Sequence, residues 1–244
     1  MIQFDKRPAL LDRPDDVSKC GVLRNACERV KMNRIIVKAG SSWKPEGYPR
    51  PQMTQMILFL NIGGYVMTDS AAFNIKEPAL FVPEFDKESI TVCAGKEDLH
   101  CIQIISSMNE EDCNQINKSH MVFPRFRPFA QAWEHTMNTI SAPDSNTRAF
   151  VLIENRKLGA NNMGIFRSEG TAGAKVEEDM LPTYDQFIIG LEGCDCTLTV
   201  NGEDAKLEAG DIAFVPKGAV FSFRCSNTGM IHHVWYTLNR AYDA

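Results

Sequence analysis

Apolar and polar positions alternate in short blocks through the second half of the chain, and the blocks are separated by turn residues. GIFRSEG (164–170) reads as a strand ending in a turn, and QFIIGLEG (186–193) is an apolar run closed by glycine. CTLTVNGEDAKLEAGDIAFVPKGAVFSFRC (196–225) alternates β-branched and aromatic residues with polar ones, and IHHVWYTL (231–238) supplies a last strand. Asn201-Gly202 is a strong hairpin signal, because a type I′ turn needs positive φ at both central residues. Ala209-Gly210-Asp211 and Lys217-Gly218 mark the next turns. Short strands with turns every eight to twelve residues, and no helix between them, predict an antiparallel sandwich or barrel.

The first half carries the same plan. NRIIVKAG (33–40) matches MGIFRSEG (163–170), and MILFLNIGG (56–64) matches QFIIGLEGC, with Gly40/Gly170 and Gly63/Gly193 each 130 residues apart. ALFVPEF (79–85) then matches IAFVPKG (212–218), with Pro83 and Pro216 lying 133 apart. VCAGKEDLHCIQI (92–104) matches RCSNTGMIHHVWY (224–236), which pairs Cys93 with Cys225 and His100 with His232 or His233. Four ordered matches at a nearly constant offset are what a duplicated unit leaves behind. Between the halves, NEEDCNQINKSH (109–120) and FAQAWEHTMNTI (129–140) have helical composition, punctuated by Pro124, Pro128 and Pro143. The expected organisation is an N-terminal arm (1–31), a first barrel (32–108), a partly helical connector (109–148) and a second barrel (149–244).

The framework GDIAFVPKG resembles the second motif of the cupin superfamily, G-x5-P-x-G-x2-H-x3-N, with Gly210, Pro216 and Gly218 in register. The closing LEG at 191–193 stands for the end of that superfamily's first motif. The resemblance covers 170–225 in detail and both halves in outline. It implies an all-β fold of two tandem cupin (double-stranded β-helix, or jelly-roll) barrels, a bicupin. The terminal WYTLNRAYD (235–243) is similar to the end of ureidoglycine aminohydrolase-type bicupins, whose metal is held by Glu, His and Gln. The superfamily's usual ligand positions depart from that pattern here. The glutamate position falls on Gln186, the first-motif histidines on Met180 and Pro182 (or Asp179 and Leu181 with the spacing one longer), and the second-motif histidine and asparagine on Phe221 and Cys225. In the first half the equivalents are Arg50, Gln52, Met56 and Glu88. A divalent metal needs several converging N and O ligands, so no cofactor is expected. A metal on Glu177, Glu178 and Asp179 with Gln186 is the lesser reading.

Composition narrows the function further. The 244 residues are 44% apolar and 23% charged, as in a globular protein, and the net charge of −5 lacks the basic face a nucleic-acid partner requires. The start, MIQFDKRPALLDRPDD, has no continuous apolar segment, and MILFL is far shorter than the ~20 residues of a membrane helix. A cytoplasmic protein without a membrane partner is the expectation. The eight cysteines lack zinc-site spacing and read as reduced thiols, with Cys194 and Cys196 on one face of a strand.

Strand alternation places Glu178, Met180, Tyr184 and Gln186 on one inner face, joined by Phe221. Arg50, Gln52, Thr54 and Glu88 would line the first barrel, with Gln103 and Tyr236 as further lumen candidates and His100 beside them. Of His232 and His233, one must face inward and the other outward. The inward one, with a reference pKa near ~6.5, would be the general base, with Glu178 and Tyr184 assisting. The expected activity is binding, with metal-independent acid–base transformation, of a small polar or carboxylated metabolite in the lumen. The alternatives are a non-catalytic binding or structural bicupin, and a metal-dependent ureidoglycine aminohydrolase-like hydrolase. Pairing of apolar sheet faces, as the resemblance implies, makes a homodimer the expected assembly.

Overall fold

The computed structural model describes residues 2–7, 15–135, 147–168 and 184–239, with the backbone of 169 and 175–180. The chain divides into two compact units: an N-terminal unit of 8–131 and 156–159, and a C-terminal unit of 1–7, 132–155 and 160–244. Both are built almost wholly from strands. No helix among the described residues is long and apolar enough to cross a membrane.

Strand β1 (Gln3–Asp5) belongs to the C-terminal unit. The N-terminal unit follows with β2 (Val17–Val22), β3 (Val30–Val37), β4 (Ser42–Trp43), β5 (Met53–Phe59), β6 (Gly64–Met67) and β7 (Ala72–Ile75). It continues with β8 (Ala79–Val82), β9 (Thr91–Ala94), β10 (Leu99–Ser107), helix α1 (Glu110–Ser119) and β11 (Arg125–Pro128). After a 3-10 turn at Phe129–Gln131 come β12 (Trp133–His135), β13 (Thr147–Leu158), β14 (Asn161–Glu169), β15 (Lys175–Met180) and β16 (Gln186–Gly190). The last five are β17 (Asp195–Val200), β18 (Glu203–Glu208), β19 (Ile212–Val215), β20 (Phe221–Cys225) and β21 (Met230–Leu238).

The sheets of the two units have matching orders. The large sheets run β11-β8-β5-β10-β3-β2 and β1-β19-β16-β21-β14-β13-β12, and the small ones β4-β9-β6-β7 and β15-β20-β17-β18. The pairings among the described residues are antiparallel, as the turn spacing predicts. In each unit one apolar core lies between the large and the small sheet. In the N-terminal unit it includes Ile35, Ile57, Phe59 and Phe81 from one sheet with Val66 and Val92 from the other. In the C-terminal unit Phe166, Ile188 and Ile231 meet Leu198, Phe221 and Phe223. The large sheets are buried on their second faces as well, so MILFL and FII read as continuous apolar runs rather than alternating ones.

Helix α1 begins where expected. Asn109 accepts from the Asp112 backbone N–H at 2.9 Å while the Asp112 carboxylate accepts from the Asn109 N–H at 2.9 Å, a reciprocal cap. The second expected helix is absent from the described part of its segment, 129–135. Residues 129–131 make a 3-10 turn and 133–135 an edge strand on β13, where Arg148 donates to Glu134 at 2.7 Å; residues 136–140 lie outside the described residues. Edge pairing has overridden local helix propensity there. The segment expected as an arm contains two strands: β2 pairs with β3, and β1 pairs with β19. Buried Asp211 accepts from the Arg7 backbone N–H and the Lys6 ammonium, each at 2.8 Å. All eight cysteines are free, and the Cys194 and Cys196 sulfurs lie 3.9 Å apart on one side of the chain. The Cys196 thiol donating to it holds Cys194 below the ordinary thiol range.

Candidate functional site

Register decides which histidine faces the interior of the C-terminal unit. His233 stands opposite Phe166 on β14 and Gly190 on β16, whereas His232 stands opposite Arg167. Phe166 belongs to the core between the sheets, so His233 points inward and His232 outward. The His232 Nδ1–H donates to the Glu192 carbonyl at 2.8 Å, which ties the outward ring to the β16–β17 turn.

His233 is held between two phenyl rings. Its imidazole stacks on Phe223 at 4.7 Å and on Phe166 at 5.4 Å, with interplanar angles of 24° and 17°. The residue is 2% exposed, and both ring nitrogens are buried without a hydrogen-bond partner among the described residues. Burial first, and the neighbouring His232 second, pull its pKa down to about 3 against an upward pull from the Val234 backbone, so the ring is neutral at physiological pH. An unpartnered buried polar atom costs about 1–3 kcal/mol.

Two further inward positions follow on β21, because strand side chains alternate. Trp235 is opposite Ile188 and Gly164, and Thr237 is opposite Gln186. A Cβ at Gly164 would lie 2.5 Å from the Trp235 ring and 2.3 Å from the Phe150 carbonyl oxygen, so only glycine leaves room for the indole. Trp235, Gln186 and Thr237 are all half-buried, and the Thr237 hydroxyl oxygen is itself buried without a partner among the described residues. This end of the inner face thus carries an indole, an amide and a hydroxyl.

The N-terminal unit has the same framework with different contents. The Leu60 N–H donates to the His100 carbonyl as the Leu191 N–H does to that of His232, each at 2.9 Å. That match aligns Cys101 with His233, Gln103 with Trp235 and Gln55 with Gln186. Three buried amides form a row on this inner face. Asn33 donates to Gln103 at 2.9 Å, Gln103 to Gln55 at 3.1 Å, and Gln55 to the Glu46 carbonyl at 2.6 Å. The row satisfies itself, and no unpartnered imidazole accompanies it.

Several expected site residues lie elsewhere. Gln55, not Met56, matches Gln186. The sequence match was anchored on glycines, and the loop at 61–62 has one residue more than its counterpart, so the strand slipped by one and its faces were exchanged. Thr54 is turned from the lumen for the same reason, while Gln103 faces it. Arg50 is exposed; its guanidinium donates to the Cys113 carbonyl and to Asn117 at 2.9 and 2.6 Å, bracing α1. Gln52 is exposed in a turn, donating from its backbone to the Pro49 carbonyl. Glu88 accepts from the Ser70 hydroxyl at 2.7 Å beside the β6–β7 turn. His100 is on the face opposite Cys101. Tyr236 is likewise on the face opposite His233, fully buried, with its hydroxyl donating to Asn161 at 2.9 Å.

Gln186 and Phe221 are on the inner side, and Phe221 packs edge-on against Phe223. Tyr184 is half-buried just before β16. Glu178 and Met180 are carried by β15, where Met180 pairs with Phe221, but their side chains lie outside the described residues, as do Glu177 and Asp179. The cupin metal does not fit the described set: a buried phenyl ring stands at one histidine position and an amide at the glutamate position. Among the described residues no three His, Cys, Asp or Glu side chains are grouped to hold a metal ion. Phe166, Phe223, Trp235 and Thr237 were not singled out from the sequence. The alternation of His233, Trp235 and Thr237 names two of them once the inward histidine is known.

No protein-family model and no curated protein matches the sequence. Solved structures do match in fold. The chain is similar to a Pseudomonas aeruginosa protein named as glyoxylate-induced, at TM-score 0.72 and 11% identity, over 94% of this chain and 84% of that one. It is similar to a cupin 2 conserved barrel domain protein from Leptotrichia buccalis, at TM-score 0.60 and 10% identity, over 94% and 92%. A variant of Bacillus subtilis oxalate decarboxylase matches at TM-score 0.64 and 8% identity, over 93% and 73%. At these identities the likeness shows the fold alone, an all-β cupin-like fold.

Proposed function

We propose that this chain is a bicupin whose C-terminal lumen binds a small polar molecule, anchored by the His233 imidazole between Phe166 and Phe223. The observation that carries the reading is the buried His233 ring, whose nitrogens meet no side-chain hydrogen-bond partner among the described residues. The N-terminal lumen supports no such reading, since its amides bond one another. Binding is favoured over turnover. A general base works best with a pKa near the operating pH, and burial has taken His233 far below that. His232 is engaged outside the lumen.

A thermal-shift screen of small acids, amides and sugars tests the proposal. A ligand at a hundred times its Kd stabilises the folded state by about 2.7 kcal/mol, which is readily seen as a higher Tm. The His233→Phe variant keeps the stacking and removes the nitrogens, so it should fold and lose the shift. Hits that shift the variant equally would place binding elsewhere, and a screen without hits would contradict the proposal.

A further inference from the structure

Three cysteines meet at one end of the C-terminal unit, where β17 begins and β20 ends. Cys194 closes the turn after β16, its N–H donating to the Leu191 carbonyl at 2.9 Å. Cys196 is the second residue of β17 and stands directly opposite Cys225 of β20. Strand alternation turns Cys194 and Cys196 to the same side, and their sulfurs lie 3.9 Å apart. Both are in the apolar core, at 5% and 3% exposed, whereas Cys225 is partly exposed.

The two buried thiols are not equivalent. The hydrogen bond from Cys196 holds Cys194 below the ordinary thiol range, helped by the His232 backbone N–H and opposed by burial, Asp211 and Asp195. The same bond, with burial second, pushes Cys196 upward. The proton that the pair shares therefore stays on Cys196, and Cys194 is the sulfur that becomes thiolate, the reactive form. In its thiol form Cys194 donates to the Leu207 carbonyl at 3.7 Å. Cys101, equally buried in the N-terminal unit, is pushed up by burial and stays a thiol.

The backbone permits a bond between them. Residues two apart on an extended chain have Cα atoms roughly 6.6 Å apart, inside the ~4.4–6.8 Å that a disulfide spans. Cys194 precedes the β17 ladder, whose first pair with β18 is Asp195 opposite Glu208. The turn can therefore carry the Cys194 sulfur to the bonding distance of ~2.05 Å without breaking strand pairing.

We propose that Cys194 and Cys196 are a reversible oxidation site, a dithiol that hydrogen peroxide converts to a disulfide. The Cys194 thiolate attacks one peroxide oxygen and the O–O bond breaks. The leaving hydroxide takes up the proton that Cys194 released and departs as water, and Cys194 becomes a sulfenic acid. The Cys196 sulfur then attacks the Cys194 sulfur, its thiol proton joining the departing hydroxyl as a second water. Two thiols have lost two electrons, and one peroxide has become two waters. Burial of both sulfurs restricts direct attack to an oxidant as small as this one, and a thiol reductant restores the pair.

The C-x-C spacing puts both residues in one tryptic peptide, 176–206, while Cys225 begins 225–240 and Cys20 begins 20–24. The folded full chain is titrated with hydrogen peroxide until the exposed Cys20 thiol is consumed. Remaining thiols are then blocked with N-ethylmaleimide and the peptides are weighed. Peptide 176–206 should carry no maleimide and be lighter by two hydrogens, and dithiothreitol should return both thiols. Cys225→Ala should leave this result unchanged. Cys196→Ser keeps a donor for the Cys194 thiolate but cannot close the bond, so dimedone should label a sulfenic acid on Cys194. Peptide 176–206 joined to 225–240, or keeping both thiols after Cys20 is consumed, overturns the proposal. So does oxygen on both cysteines in place of the bond, or loss of the bond in Cys225→Ala.

Discussion

At the residue scale, His233 couples stability to pH in a defined direction. In the folded chain its pKa is about 3, while an unfolded histidine titrates near ~6.5. Between those values the unfolded state takes up a proton that the folded state refuses. The neutral ring's contribution is therefore complete above the unfolded value and is lost as pH falls toward 3. Over that window stability should drop by up to about 1.4 kcal/mol per pH unit relative to His233→Phe. Urea midpoints of the two proteins from neutral pH to pH 4 check this, and parallel curves would contradict the buried, neutral assignment. The sequence could say that one of His232 and His233 faces inward because strands alternate. It could not say which, because that depends on the pairing of His233 with Phe166, a long-range register.

At the scale of the strand, inner-face contents separate the two units. Gln103 joins Asn33 to Gln55, so Gln103→Leu leaves two buried amides short of a partner. We expect a loss of about 2–3 kcal/mol in chemical denaturation. In the C-terminal unit the matching position is Trp235, and Gly164 opposite it has no space for a methyl group. Gly164→Ala should cost about 1–3 kcal/mol by overpacking and perturb the Trp235 fluorescence. An unperturbed spectrum at full stability would contradict the placement of the indole. The strands themselves were legible from alternation and turn residues, but the first unit's site was not. One extra loop residue turned an alignment on glycines into a shift of one along β5, which put Met56 where Gln55 stands and with it exchanged the faces.

At the scale of the whole molecule, the repeated strand order was readable from four ordered matches, and the cupin-like fold from GDIAFVPKG. The role of the first residues was not readable, because β1 is recognised only by its partner β19, more than two hundred residues away. Asp211 fastens that strand through the Arg7 N–H and the Lys6 ammonium and also accepts from the Glu208 N–H at 2.9 Å. Asp211→Ala should destabilise the chain by about 2–3 kcal/mol and speed hydrogen exchange at residues 3–5; unchanged exchange there would contradict this anchoring. In the C-terminal unit, of the positions that the resemblance assigns to metal ligands, the described ones carry an amide, Gln186, and a phenyl ring, Phe221. The central claim is that His233 is a neutral anchor awaiting a partner in the C-terminal lumen. The most direct test is a high-resolution crystal structure of the chain purified from its source, examined around the His233 ring. The account predicts non-protein density within hydrogen-bonding distance of its nitrogens, and protein side chains bonded to both nitrogens would contradict it.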